Sequence, residues 1–276
     1  MSPTTQPFSA LPTQEQVFTI ERAYAKAFPG TRAQELCDGW LLRAGEDITE
    51  RSNSAVPLTP SSFPFDRARE FYRDHDLPVR VLIPDHVRLI PAPWYNTPWQ
   101  RLPEIAVLVL DLADWNPAVG LNPTIPLAPG NDISVGEVMD RPDDQWLSMY
   151  HFRGHPLPAG SLKNTRIDGV QGFAKIAAPA TESSDSPNGV RAVTRAVITA
   201  AGGFRWLNFS AVEVAEPYRR QGLGTALGKT VLTWGASHGA DFAYLQVKTD
   251  NLAGLALYRS LGFTRHHSHR YFELAV

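Results

Sequence analysis

Residues 206–239 read WLNFSAVEVAEPYRRQGLGTALGKTVLTWGASHG, and the order of residue types in this stretch decides the fold. Trp206 to Val214 is strand-like in its apolar and β-branched content. It runs into Tyr218-Arg219-Arg220-Gln221-Gly222-Leu223-Gly224-Thr225. After that, Leu223, Leu227, Val231 and Trp234 share a helical face, and Gly239 suits the helix end. A strand that feeds a glycine-rich turn opening a helix is an anion cradle. Glycines let main-chain N–H groups approach a phosphate, and the helix N-terminus adds its dipole. Arg219, Arg220 and Lys229 bring positive charge to the same place. Two other uses of such a turn fit poorly. The dinucleotide fingerprint has its third glycine where Leu227 stands, and the roughly 50 residues that follow are too few for a doubly wound sheet. A phosphate loop of the Walker type would close on Gly-Lys-Ser/Thr, which is missing here.

The next stretch completes the pattern. Phe242, Tyr244 and Gln246 alternate with Ala243, Leu245 and Val247 in a strand. Asp250-Asn251 then opens a helix carrying Leu255, Leu257 and Tyr258, closed by Leu261-Gly262-Phe263. With both halves in order, residues 206–263 resemble the GNAT superfamily of N-acetyltransferases. Arg219-x-x-Gly222-x-Gly224 is similar to its pyrophosphate motif, and Asn251 through Tyr258 to Gly262-Phe263 is similar to its asparagine–tyrosine–Gly-Phe segment. The resemblance implies an α/β (α+β) fold of the acyl-CoA N-acyltransferase type, a mixed central sheet flanked by helices. It also implies acetyl-CoA as co-substrate, with no metal.

Site roles follow from the resemblance. Val212, Glu213 and Val214 would offer main-chain groups to the pantetheine arm and the thioester carbonyl, where an N–H stabilises an oxyanion. Arg219, Arg220, Gln221, Gly222, Leu223, Gly224 and Thr225 would cradle the pyrophosphate. Asn251 would hydrogen-bond the cofactor arm, and Tyr258 would be the general acid for the departing thiolate. The base is left open. Gln246 and Asn208 stand where relatives carry glutamates, which leaves Glu213, His267, His269 or a water chain. The tail Arg265-His266-His267-Ser268-His269-Arg270 has five basic residues in six. Alternation sets His267 and His269 on one face. Arg265, His267, His269 and Arg270 would then line a cationic acceptor pocket, the alternative being a solvated edge strand. Zinc is disfavoured, because no further His or Cys sits at metal spacing.

Outward from this core, Thr13 and Gln16 read as a capping box for a helix bearing Val17, Ile20, Tyr24 and Ala27, stopped by Pro29-Gly30. Gly39 to Arg43, Val79 to Ile83 and Ile105 to Leu112 read as strands, and residues 65–75 as a helix. A short helix at 144–150 and strands at 170–176 and 190–199 precede the core. Residues 91–103 form a proline-rich loop with aromatic anchors, and 179–189 a polar loop. Gly39 to Arg43 and Arg51 to Ser54 suggest that the first half is similar to a degenerate acetyltransferase unit, as in tandem actinobacterial members. The expected division is 1–132 and 133–276.

Composition agrees. The 276 residues are 43% apolar and 20% charged, with 26 Lys+Arg against 28 Asp+Glu, which argues against wholesale disorder and against a nucleic-acid or membrane-surface protein. Of 23 prolines, only Pro217 falls in the last 89 residues, where ring constraints would interrupt regular elements. One cysteine, Cys37, allows no internal disulfide, and no secretory leader or apolar span is read, so a cytoplasmic location is expected. The expected activity is transfer of acetyl to a primary amine, a small-molecule amino acid such as glutamate first. A protein N-terminus or lysine is the alternative, and a non-catalytic CoA sensor the rival of another class. The expected state is a monomer or homodimer.

Overall fold

Why the first helix forms is visible at its start. The Thr13 hydroxyl accepts from Gln16 N while the Gln16 side chain accepts from Thr13 N (2.8 Å), closing the capping box. Val17, Ile20, Ala23, Tyr24 and Ala27 then form a stripe with no exposed surface. The computed structural model describes residues 12–46, 49–87, 98–113, 115, 137–152, 155–156, 167, 169–177 and 189–274. Most of the expected 115–132 boundary, the loop over 179–188 and the anchors Trp94 and Tyr95 lie outside the described residues.

In chain order the elements are α1 (Gln14–Ala27), β1 (Ala33–Cys37), β2 (Trp40–Ala44), a 3-10 turn (Glu50–Ser52), β3 (Val56–Pro57), α2 (Phe65–Arg73), β4 (Val79–Pro84), β5 (Gln100–Arg101) and β6 (Ile105–Asp111). There follow β7 (Glu137–Met139), α3 (Asp144–Met149), β8 (His151–Phe152), β9 (His155–Pro156), β10 (Gly169–Ala177), β11 (Val190–Ala201) and β12 (Phe204–Val214). A second 3-10 turn (Glu216–Tyr218), α4 (Leu223–Ser237), β13 (Phe242–Lys248), α5 (Leu252–Ser260) and β14 (Thr264–Leu274) complete the described elements.

One sheet runs β4-β14-β6-β13-β12-β11-β10-β7, with β5 beside β14. The small sheet β1-β2-β3 meets it through a parallel bridge, Ala55 to Val81, closed by Ala55 N to Arg80 O (2.8 Å) and Leu82 N to Ala55 O (2.9 Å). The arrangement is nearly symmetric about the β6/β14 pair. On one side three antiparallel strands, β1-β2-β3, lead through α2 to a parallel neighbour, β4. On the other, β10-β11-β12 lead through α4 to a parallel neighbour, β13. Between them the inner strands change places. β6 pairs β13, the later half's strand, and β14 pairs β4, the earlier half's strand.

This order bears on the expected division and on the edge-strand alternative for the basic tail. The division at 132/133 separates no two sheets, because strands from both sides of it alternate in one ladder. The basic tail is no edge strand: β14 is flanked by β4 and β6, so its backbone is paired on both sides. Helices α4 and α5 cover one face, where Leu223, Leu227, Val231 and Leu261 pack on Leu207, Phe209, Ala243 and Leu245. Helix α1 covers the other, with Ile20, Ala23 and Tyr24 against Trp206, Phe242, Tyr244 and Tyr271. Next to it, Trp146 of α3 packs on Phe173 and Val193.

Candidate active site

Strands β12 and β13 part company early. Their parallel pairing covers only Trp206–Asn208 against Phe242–Tyr244, although β12 continues to Val214 and β13 to Lys248. On its other edge β12 stays bonded to β11 as far as Val214. A bulge sets the divergence: Ala211, at φ +58°, and Val212 share the place opposite Thr194. From Phe209 to Val214 the edge of β12 that faces β13 therefore has no ladder partner there, and Val212, Glu213 and Val214 stand on it.

The strand leads into the glycine turn. Arg219 Nε donates to Val214 O (3.1 Å) and ties the turn to the strand. Gln221 Nε2 donates to Pro217 O (3.0 Å). Arg220 (φ +64°) and Gly222 (φ +83°) both adopt the left-handed backbone, which turns the chain sharply into α4. Among the described residues no side chain caps α4 at Gly222, and nothing lies within 4 Å of where a Cβ at Gly222 would sit. An uncapped helix start facing open space is what a phosphate group fits. Gly224 has a different reason: a Cβ there would meet Leu257 of α5 at 3.1 Å, so the motif's second glycine lets the two helices approach. Leu223 is buried in the core, and Thr225 is half-buried in the first turn.

Asn251 caps α5, its Oδ1 accepting from Gly254 N (2.9 Å), which leaves the Nδ2 hydrogens for another acceptor. Tyr258 lies half-buried on α5, edge-on to Phe209 (6.0 Å) and Phe263 (6.2 Å). Burial pushes its phenol up to about 12, opposed by the charge of Arg51, so it stays protonated at neutral pH.

The tail residues are placed differently from expectation. Arg265 (2.6 Å) and Arg270 both pair with Glu104, so their charge is met by a carboxylate from the segment before β6. His267 and His269 are 1% exposed and lie beneath α1. Glu21 Oε1 accepts from His267 Nε2 (3.0 Å) and from His269 Nδ1 (3.1 Å). Burial raises the Glu21 carboxyl, but the charge of His269 and both hydrogen bonds outweigh it and hold the group at about 2. Each of the three offers a ligand atom within 4.8 Å of the others, a set able to hold a divalent cation; in this arrangement those same atoms bond one another. Burial and the neighbouring His267 and His86 lower His266 to about 3.

Sequence reading gave no site role to Arg195, Arg51 or Tyr244 on this face, and noted Asn208 and Gln246 only as amides in place of a base. Arg195, on β11 opposite Ser210, is 2% exposed. Arg51 comes from the first 3-10 turn. Asn208, Tyr244 and Gln246 each keep a buried polar atom without a partner at the root of the opening. A charged residue within the apolar strand VRAVTRAVITAA was the available signal for Arg195.

Residues 15–272 match the family described as "Probable histone acetyltransferase Rv0428c C-terminal". The Mycobacterium tuberculosis protein of that name is 34% identical over 255 residues, 91% of this chain and 72% of its own. The chain belongs to this family of GNAT-type N-acetyltransferases. Solved structures agree on the fold of the acetyltransferase. A GCN5-related N-acetyltransferase from Kribbella flavida covers 96% of both chains at TM-score 0.55 and 15% identity. A tandem GNAT protein from the clavulanic acid biosynthesis pathway covers 76% of this chain and 68% of its own at TM-score 0.54 and 16% identity. Acetyltransferases of this type use acetyl-CoA. No described helix is long and apolar enough to cross a membrane.

Proposed function

We propose that the acetyltransferase moves acetyl from acetyl-CoA directly to a primary amine, a small-molecule amino acid such as glutamate being the first candidate acceptor. A protein N-terminus or lysine is the second, favoured by the name of the M. tuberculosis relative. The observation that carries the chemistry is the unpaired edge of β12, which ends at an uncapped helix start and lies beside a protonated Tyr258.

Each residue has a defined task in this reading. Main-chain N–H groups of residues 220–225 take the pyrophosphate, with the Arg220 charge beside them. The free edge at Val212, Glu213 and Val214 aligns the pantetheine arm as a short added strand would, and Asn251 Nδ2 donates to it. Acetyl-CoA, when bound, supplies an activated thioester. A β12 N–H on this edge steadies the oxygen that gains charge as the amine attacks. Tyr258 donates to the departing sulfur. Free thiols titrate near about 8.5, so full proton transfer from a phenol at about 12 is uphill. Arg51 eases the transfer by lowering the phenol.

The first half reads as a second, degenerate copy of the same unit. Its β1-β2-β3, α2, β4 succession repeats β10-β11-β12, α4, β13, yet the connection from β3 to α2 contains no glycine.

A panel of amino acids, polyamines and lysine peptides tests the reading, with free thiol release from acetyl-CoA measured for each. Turnover with acidic amino acids is expected. Turnover with lysine peptides alone would move the acceptor to proteins, and no release with any amine would overturn direct transfer.

A further inference from the structure

Two guanidiniums on the α1 face of the opening lack a counter-charge. Arg195 rises from β11 beside the β12 bulge, and its donors go only to neutral oxygens: Ala27 O (3.2 Å from each of two nitrogens) and Gln171 Oε1 (3.1 and 3.2 Å). Arg51 is half-buried and enters from the first half of the chain. Both lie over one ring, Phe28, at 5.4 Å for Arg51 and 5.5 Å for Arg195. Among the described residues neither forms an ion pair with a carboxylate. Close like charges in a poorly solvated place oppose each other, and burial leaves Arg195 at about 10, still cationic at neutral pH.

The surroundings tie this pair to the reaction. Arg51 is the charge that acts on the Tyr258 phenol, and with Arg195 it acts on the Tyr150 phenol. Arg195 also acts on Tyr244, whose hydroxyl is buried and unpartnered, as are Asn208 Oδ1 and Gln246 Nε2 on the same face of the sheet. The Glu213 charge on β12 acts on the same Tyr150 phenol, while Glu21 is committed to its two histidines. Two cations and three unused buried hydrogen-bonding atoms thus share the α1 face of the sheet among the described residues.

We propose that Arg51 and Arg195 form an oxyanion-binding subsite that holds the carboxylate or phosphate of the amine acceptor while its nitrogen reaches the thioester. This rests on the acetyl-transfer reading above and narrows its acceptor to an amine bearing an anionic group. The Arg51 fork matches both oxyanions in shape, Arg195 adds its charge and its one uncommitted N–H, and the same two charges repel a lysine-rich peptide. One cation comes from each half of the chain, which gives the first half a direct part in choosing the substrate.

The test has two independent arms. In the first, kcat/KM is measured for glutamate, for phosphoethanolamine, for glutamate dimethyl ester and for a lysine-rich peptide. One of the two anionic acceptors should exceed the ester at least 100-fold, and which one it is identifies the oxyanion. Arg51→Gln should collapse that ratio at least tenfold, mainly through KM. Arg195→Lys, which keeps the buried charge but loses the fork, should raise the same KM. In the second arm, glutarate and inorganic phosphate are titrated into the protein and its thermal midpoint is followed without turnover. One of them should raise the wild-type midpoint and fail to do so in Arg51→Gln. A stabilising anion with no turnover on any amine would overturn the transfer reading but uphold the subsite. Preference for the lysine peptide, an unchanged ratio in Arg51→Gln, or no anion effect on the midpoint would overturn the subsite.

Discussion

Tyr258 and Glu21 show how one burial effect, which raises both groups, ends in opposite shifts when only one of them is hydrogen-bonded to charged partners. The Tyr258 phenol loses solvation with little to offset it and rises to about 12. Replacement by Phe should cut kcat by tenfold or more and leave the acetyl-CoA Kd within about twofold, the effect of losing a positioned donor. Steady-state kinetics and calorimetry would separate the two effects, and equal activity in the variant would remove Tyr258 from the chemistry. Ultraviolet titration of the phenols should find none of this residue's ionisation below about pH 10. Glu21 falls to about 2, because two imidazoles more than repay its burial. A carboxyl lowered on folding adds stability above its unfolded value of 4.5, and that stability drains away as pH falls from there toward 2. Glu21→Gln should cost about 3–5 kcal/mol and flatten the acid limb of the denaturation curve, since it leaves buried histidines without their partner. Sequence hinted at this pair only faintly. Glu21 is four residues after Val17 and three before Tyr24, on the apolar stripe itself, so its position announced an inward side chain. Its partners, about 250 residues away, could not be read from a linear pattern. The charges of Arg265 and Arg270 misled for the same reason, because Glu104 neutralises them from a distant segment.

At the scale of elements, the glycine turn and the helix pair behind it were legible because each depends on local spacing. The strand, the turn at Gly222, α4, β13 and α5 fall where periodicity and glycine place them. Hidden from sequence was the division of labour among glycines. Gly222 serves the backbone, whereas Gly224 and Gly228 serve the closeness of α4 to α5, where an added methyl at Gly228 would meet Leu261 at 2.5 Å. Gly228→Ala should therefore destabilise by about 1–3 kcal/mol through overpacking. The expected reading is a lower thermal midpoint in calorimetry, partly restored when Leu261 is shortened to Val. Failure of that second change to help would place the strain elsewhere. The bulge at Ala211 was equally invisible, since an alanine with positive φ carries no composition signal.

At the scale of the molecule, the two halves are interlocked. β6 completes the sheet beside β13, and β14 completes it beside β4, so removing either half exposes an apolar strand on the other. Residues 133–276 expressed alone should be insoluble or molten, with β13 and β14 left as open edges. Production together with residues 1–132 should restore soluble protein, and the intact chain should unfold in one cooperative transition by denaturant. An independently folded second piece would contradict the interlock. Sequence reading missed this exchange, because strand order in a sheet depends on neighbours that no local pattern names. The reading of a cleft furnished from both halves, with Arg51 on one side and Tyr258 on the other, depends on that exchange.

Pairing β4 with β14 also carries a kinetic consequence. Arg80 of β4 and Glu273 of β14 bond across a separation of 193 residues, so the middle of the sheet is closed by some of the most distant contacts in the chain. Distant contacts require loop closure before they return any energy, which slows folding. Local hairpins such as β10-β11-β12 can form early, but the strands at the centre must wait for each other. The centre of the sheet should thus be the last part to assemble, and refolding yield should fall steeply with protein concentration while that centre stays open.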